Sequence, residues 1–226
     1  MRSLGVDIGT SNIKIVELSK SGSEIVLDNY GILETYGYLD RPNAAIQSSY
    51  FKIVEETTVD LLKKLLKSFK PHTKRAVISL PIFSSFVTIF DIPLTDEKEI
   101  SRAIPFEAKK YIPLPLEDLT IDWAIINEGN RLAKNVSSRI LLIAIPKDLI
   151  QRYQRIAKGV GLDVVAFELE SVSLARSLLG QDKSPALILD VGAQSTNVAI
   201  VENGYLVSNE NLTTAGSEIT HVIAQG

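Results

Sequence analysis

The chain has 226 residues, enough for one large or two small domains, and it is 45% hydrophobic and 23% charged, the balance of a protein that folds around a core. A formal net charge of −3 gives no electrostatic reason to expect nucleic acid as a partner. The absence of cysteine excludes disulfides and thiolate metal sites, and His72 and His221, the only histidines, make a zinc site or a Ser-His-Asp triad a poor reading.

Met1-Arg2 leads straight into a strand, so no apolar targeting segment is expected, and no run reaches the roughly 18 apolar residues of a membrane span. The expectation is a cytoplasmic protein that does not insert into the membrane. Residues 3–8, 12–18 and 24–35 read as a three-strand meander, followed by a loop over 36–42. From about Ala44 to Phe69, Tyr50, Ile53, Val54, Thr57, Leu61, Leu62, Leu65 and Phe69 recur at helical spacing, and Pro71 ends the helix. Residues 75–81 and 85–92 are strands. A helix follows, with Thr95 expected as its cap, Asp96, Glu97 and Glu99 at the positive end of its dipole, and Pro105 predicting a kink before the stop at Pro113. Strands over 119–127 and 137–145 flank a polar turn at 128–135. A helix over 146–158, a strand over 162–167 and a helix over 169–179 come next, then a polar break at 181–185. The chain closes with strands over 186–191, 196–202 and 205–213, an Asn203-Gly204 hairpin turn, and a helix opening at Gly216-Ser217.

Two stretches share one grammar. In Val6-Asp7-Ile8-Gly9-Thr10-Ser11-Asn12-Ile13-Lys14 a strand ends on Asp-x-Gly, and small polar residues lead into a second strand. Gly9 lets the turn close, and the backbone N–H groups of Thr10, Ser11 and Asn12 can line a concavity suited to phosphate. Asp7 repels phosphate but can hold a hydrated Mg²⁺ that bridges to it, and Lys14 can add a point charge on the phosphates. Asp190-Val191-Gly192-Ala193-Gln194-Ser195-Thr196-Asn197 repeats the pattern 183 residues later, Asp190 matching Asp7 and Gly192 matching Gly9. Two like elbows suggest two like half-domains facing each other across a cleft. The plain alternative is a pair of turn aspartates without a ligand, with Lys14 merely exposed after a hairpin.

With these elbows the chain resembles the actin-like ATPase superfamily of actin, heat-shock chaperones and sugar kinases. Further stretches narrow the likeness: Val77-Ile78-Ser79-Leu80-Pro81, Phe90-Asp91-Ile92-Pro93-Leu94, Glu107-Ala108-Lys109-Lys110-Tyr111-Ile112-Pro113-Leu114-Pro115-Leu116 and Ile121-Asp122-Trp123 resemble the PilM family of type IV pilus assembly, itself similar to the cell-division protein FtsA. The resemblance implies an α/β actin-like (ribonuclease H-like) ATPase fold. Residues 1–79 and 166–182 would form the first half-domain, 80–165 an inserted strand-helix-strand-strand subdomain, and 183–226 the start of the second half. It implies ATP and Mg as conformational ligands, with slow turnover at most. Asp7, Gly9, Thr10, Ser11, Asn12 and Lys14 fall on the first phosphate loop, and Asp190, Gly192, Gln194, Ser195 and Thr196 on the second. Asp7 and Asp190 would hold Mg through water. Glu170 stands where related ATPases place an acidic residue, though it is also a favourable helix start, and Gly216 stands where the family often has a Gly-Gly pair.

The implied partner is the N-terminal cytoplasmic peptide of a PilN-like inner-membrane protein, taken up beside the insert, so that the protein is peripheral to the inner membrane through that partner; self-association is a further expectation. Phe83, Phe86 and Phe90 line either a peptide groove or a sheet core, while the 107–111 stretch and Trp123 are read as insert core. Family members continue into a Gly-rich adenosine motif that these residues do not contain, so the expectation is a truncated chain with phosphate loops, no adenine pocket and little activity. Two alternatives belong to the same superfamily. A sugar-type kinase needs a carboxylate base beside its acceptor, and Asp122 and Asp163 are not compelling for that role. A division-type polymer anchor would carry an amphipathic membrane helix.

Overall fold

A computed structural model describes residues 1–35, 55–82, 85–128 and 137–225. The expected loop at 36–42, the first part of the first helix, Phe83 and most of the 128–135 turn lie outside the described residues. The chain divides into two compact units: Met1–Leu80 with Ile150–Glu168, and Pro81–Leu149 with Leu169–Gly226.

The first unit is built on a sheet ordered β3-β2-β1-β4-β8. Strands β1 (Arg2–Ile8), β2 (Asn12–Ser21) and β3 (Glu24–Glu34) form the expected antiparallel meander. β4 (Arg75–Leu80) runs parallel to β1, and β8 (Asp163–Leu169) lies beyond it. Alternation turns Leu4, Val6 and Ile8 of β1 and Ile13 and Ile15 of β2 inward. Helix α1 (Glu55–Phe69) buries Thr58, Leu61, Leu62, Leu65 and Phe69, so the inward threonine is Thr58 rather than the expected Thr57. A Cβ added at Gly31 of β3 would stand 3.2 Å from both Leu65 and Phe69, so helix and strand approach closely there. Helix α3 (Lys147–Gly159) adds Tyr153, Ile156 and Ala157 to the buried set, and Gly161, at φ +73°, allows the sharp turn after it.

The alternation that buries Ile13 and Ile15 also carries Glu17 inside, where its side chain is fully buried. Two groups of one residue answer it: the His72 backbone N–H reaches Oε1 at 2.9 Å, and His72 Nδ1 lies 3.0 Å from Oε2. An unpaired buried carboxylate is costly, so this contact fixes the α1–β4 connection to the sheet. At the surface of the same unit Arg155 grips Glu55 through three N–H···O contacts of 2.8–3.1 Å. Arg155 hydrogen-bonding holds the Glu55 carboxyl below its ordinary value of 4.5.

The second unit contains two antiparallel sheets. One has β7 (Ser138–Pro146) between β5 (Phe86–Ile92) and β6 (Leu119–Glu128). Helix α2 (Glu97–Ala108) covers it, giving the strand-helix-strand-strand order expected of the insert. Ile100, Ile104 and Ala108 pack with Phe90, Ile92, Ile140 and Leu142, while Phe86 and Trp123 are partly buried against them. Phe90 is therefore a core residue, and Phe86 lies at the edge of that core. The residue capping α2 is Asp96, not Thr95: its carboxylate accepts from the Lys98 and Glu99 N–H groups, and Thr95 stands one position too early to reach them. α2 ends at Ala108, earlier than expected, and Lys110 and Tyr111 continue as a turn in which Tyr111 stacks on Phe90 at 5.1 Å. The expected insert range of 80–165 thus spans two kinds of element, because β8 belongs to the first sheet and α3 from Ile150 onward belongs to the first unit.

The other sheet of this unit places β10 (Thr196–Glu202) between β9 (Ala186–Val191) and β11 (Tyr205–Leu212), with the β10–β11 hairpin closed by Asn203 and Gly204, both at positive φ. Helices α4 (Glu170–Leu179) and α5 (Gly216–Gln225) flank its strands in sequence. Among the described residues no helix is long and apolar enough to cross a membrane.

Two outcomes test these contacts. Replacing His72 with Ala leaves Glu17 Oε2 without its imidazole partner and is expected to lower unfolding free energy by about 1–3 kcal/mol; denaturant titration showing a change of only a few tenths would exclude the contact. The Glu55 pKa is depressed in the fold, so its pairing stabilises at pH above the unfolded value and is lost as pH falls through the folded one. The Tm difference between wild type and Glu55→Gln is accordingly expected to be largest above about pH 5 and to shrink on acidification.

Candidate functional site

Both elbows are hairpin turns closed in the same way. In the first, Gly9 N–H donates to the Asn12 carbonyl at 3.0 Å; in the second, Gly192 N–H donates to the Ser195 carbonyl at 2.9 Å. A Cβ at Gly9 would lie 3.0 Å from the Asn12 oxygen, and one at Gly192 would lie 2.8 Å from the Ser195 oxygen. At Gly192 a backbone oxygen leaves no room for a side chain, and at Gly9 the contact is tight enough that the turn would have to give. The register repeats as well: Asp7 stands opposite Lys14 across β1 and β2, and Asp190 stands opposite Asn197 across β9 and β10.

The first elbow is braced from behind. Thr35, fully buried just past β3, donates its N–H to the Ser11 carbonyl at 2.8 Å and its hydroxyl to the Thr10 carbonyl at 2.9 Å. Those bonds turn the Thr10–Ser11 carbonyls inward. Asp7, half-buried, accepts the Ser79 hydroxyl on Oδ1 at 2.8 Å and Lys14 Nζ on Oδ2 at 3.1 Å. Ser79 sits near the carboxyl end of β4, the parallel neighbour of β1, and carboxyl ends of adjacent parallel strands are where α/β sheets present ligand groups.

The second elbow is braced by different residues. The Gly216 and Ser217 N–H groups, at the start of α5, donate to the Gly192 and Ala193 carbonyls at 3.0 and 2.9 Å. A Cβ at Gly216 would stand 3.2 Å from the Gly192 oxygen, which accounts for a glycine there. Buried Thr196 donates its hydroxyl to the Thr214 carbonyl at 2.7 Å, and the Asn211 amide donates to Asn197 Oδ1 at 2.7 Å. Gln194 and Ser195 lie half-buried in the turn. Glu170 is the first residue of α4, at the positive end of the helix dipole; its neighbour Ser171 donates to Asn209 of β11 at 2.8 Å.

Each elbow therefore offers one carboxylate and a tight turn. Among the described residues no group of three or more acidic or histidine side chains could hold a metal ion alone. A cation at Asp7 or Asp190 would have to complete its shell with water and ligand oxygens, which is how Mg²⁺ binds with phosphates. The donor set and the two glycine-tight turns fit that group.

The description "Type IV pilus assembly protein PilM" matches residues 5–226. The chain belongs to the PilM family. Among curated relatives, the cell division protein FtsA of Staphylococcus epidermidis is 24% identical over 241 residues, covering 99% of this chain and 51% of the relative. FtsA of Bacillus subtilis is 21% identical over 248 residues, covering 99% and 54%. The chain spans about half the length of these relatives. Its fold is actin-like. The structure of a PilM-PilN type IV pilus biogenesis complex matches with a TM-score of 0.78 at 22% identity, over 99% of this chain and 65% of that one. The cytoplasmic domain of EpsL, an inner-membrane component of the type II secretion system of Vibrio cholerae, matches with 0.57 at 12% identity, over 100% and 76%.

The turn geometry yields a graded expectation. Gly9→Ala and Gly192→Ala should each lose roughly 1–3 kcal/mol of stability, the second more than the first because its Cβ meets the closer oxygen. Denaturant unfolding of both variants gives the order.

Proposed function

We propose that this PilM-family chain serves type IV pilus assembly as a nucleotide-dependent adaptor. Its two elbows take the phosphates of Mg-ATP, and its insert recruits the N-terminal cytoplasmic peptide of a PilN-like inner-membrane protein. The observation that carries the nucleotide half is the recurrence of one elbow, with the same glycine-closed turn and the same Asp in register, in two separate sheets. A single Asp-x-Gly turn is common; the same turn twice, 183 residues apart, supports a ligand with two anionic parts.

In this reading Asp7 and Asp190 hold Mg²⁺ through water, while the turn residues Gly9, Thr10, Ser11 and Asn12 and Gly192, Gln194, Ser195 and Thr196 bind phosphate oxygens. Bound Mg²⁺ supplies charge neutralisation on the phosphates. Glu170 positions water, and turnover is slow, because the ligand sets conformation rather than driving a transfer reaction. The partner half is supported by the solved PilM-PilN complex, the family match and the insert's own closed core, which makes it a module able to carry a docking surface. Residues 1–79 and 166–182, the 80–165 insert and 183–226 are the functional divisions of this proposal, and the protein works on the cytoplasmic face, held at the membrane by its partner.

Two titrations of the full-length protein test the two halves separately. A fluorescent ATP analogue is expected to bind saturably with Mg²⁺, and Asp7→Asn or Asp190→Asn to weaken it by about tenfold or more. The partner's N-terminal peptide is expected to bind saturably without any acceptor substrate. No saturable nucleotide binding would contradict the first half, and no saturable peptide binding the second.

A further inference from the structure

The two elbows differ in charge at the position across the hairpin from the aspartate. Opposite Asp7 stands Lys14, whose Nζ lies 3.1 Å from Oδ2; opposite Asp190 stands Asn197, buried and engaged by the Asn211 amide. The first elbow thus joins its carboxylate to a solvent-exposed cation, and the second has a buried neutral side chain held by a hydrogen bond. The Asp7–Lys14 pair is open to solvent, with side-chain exposures of 34% and 51%. Such a pair holds weakly. The other Asp7 oxygen is held by a neutral donor, the Ser79 hydroxyl at 2.8 Å.

We propose that Lys14 is an exchangeable cation and Ser79 the positioning residue that makes the exchange orderly. This rests on the reading that the elbows take Mg-ATP. Lys14 and a divalent cation compete for the same oxygen, Asp7 Oδ2. A divalent ion carries twice the charge of an ammonium, and its bound waters can donate to the carboxylate oxygen that Lys14 leaves. Mg²⁺ settling at Asp7 displaces Lys14, whose four-carbon stem lets the ammonium swing to the phosphate oxygens that arrive with the metal. Ser79 keeps Oδ1 fixed, so that Asp7 does not follow its departing partner. Metal and nucleotide then bind cooperatively at the first elbow, and the second elbow, with Asn197 in the equivalent place, has no such device.

Two measurements on wild type, Lys14→Met and Ser79→Ala test the exchange, with circular dichroism melts verifying that each variant is folded. In the first, Mg²⁺ alone is titrated and read by isothermal calorimetry. Lys14→Met is expected to bind it roughly two- to fivefold tighter than wild type, the size of a half-exposed ion pair removed as competitor, and Ser79→Ala to bind it more weakly. In the second, ATP affinity is measured in EDTA and in saturating Mg²⁺. Wild type is expected to gain about tenfold more from Mg²⁺ than Lys14→Met does. Mg²⁺ binding no tighter to Lys14→Met than to wild type would overturn the exchange. So would an equal loss of ATP affinity with and without Mg²⁺, which describes a lysine that bridges Asp7 and phosphate together. A wild type that binds no ATP in either condition would contradict the nucleotide reading, while the Mg²⁺ titration would still decide the competition.

Discussion

The tight closure of two hairpins, Gly9 N–H to the Asn12 carbonyl and Gly192 N–H to the Ser195 carbonyl, is the constraint to which the other features of the site answer. It leaves no room for a side chain at Gly192 and little at Gly9, and brings one aspartate to the end of each incoming strand. It also uses turn carbonyls in known directions. Thr35 consumes those of Thr10 and Ser11, and the start of α5 consumes those of Gly192 and Ala193. Two unrelated braces thus support one turn geometry.

Each elbow depends on the strands behind it. In the first unit β1 is flanked by antiparallel β2 and parallel β4, so Asp7 emerges where Ser79 can meet it. The sheet continues through β2, whose inward face would hold only apolar residues were it not for Glu17. The contact of that carboxylate with His72 ties the α1–β4 connection to the sheet and so fixes the strand that bears Ser79. In the second unit the insert sheet keeps its own core beneath α2, with Phe90, Ile104 and Ile140 at its centre.

Most of the strands were legible from alternation, and both elbows from the repeated Asp-x-Gly. Gly216 could be placed at the opening of α5 from the sequence, but its contact with the Gly192 carbonyl required the fold. Thr95 is the expected cap because it precedes a run of acids; the helix starts one residue later, which gives the place to Asp96, whose carboxylate reaches the Lys98 and Glu99 N–H groups. Thr35 and Ser79 carried only a faint signal, each a hydroxyl at a strand end in an otherwise apolar pattern, and their partners lie 25 and 72 residues away. Glu17 was invisible as a buried charge, since alternation assigns it a face without saying that His72 will meet it there. Nothing in residues 163–169 announces that they join the first sheet, because a short apolar strand reads the same at either place.

A nucleotide that engages both elbows must protect both turns at once. Hydrogen–deuterium exchange on the full-length protein, with and without Mg-ATP, reads the backbone amides of residues 9–12 and 192–195 directly. Slowed exchange in both segments, lost together in Asp7→Asn, is the predicted result. Protection confined to one segment, or to neither, would contradict a shared nucleotide as the reason the turn occurs twice.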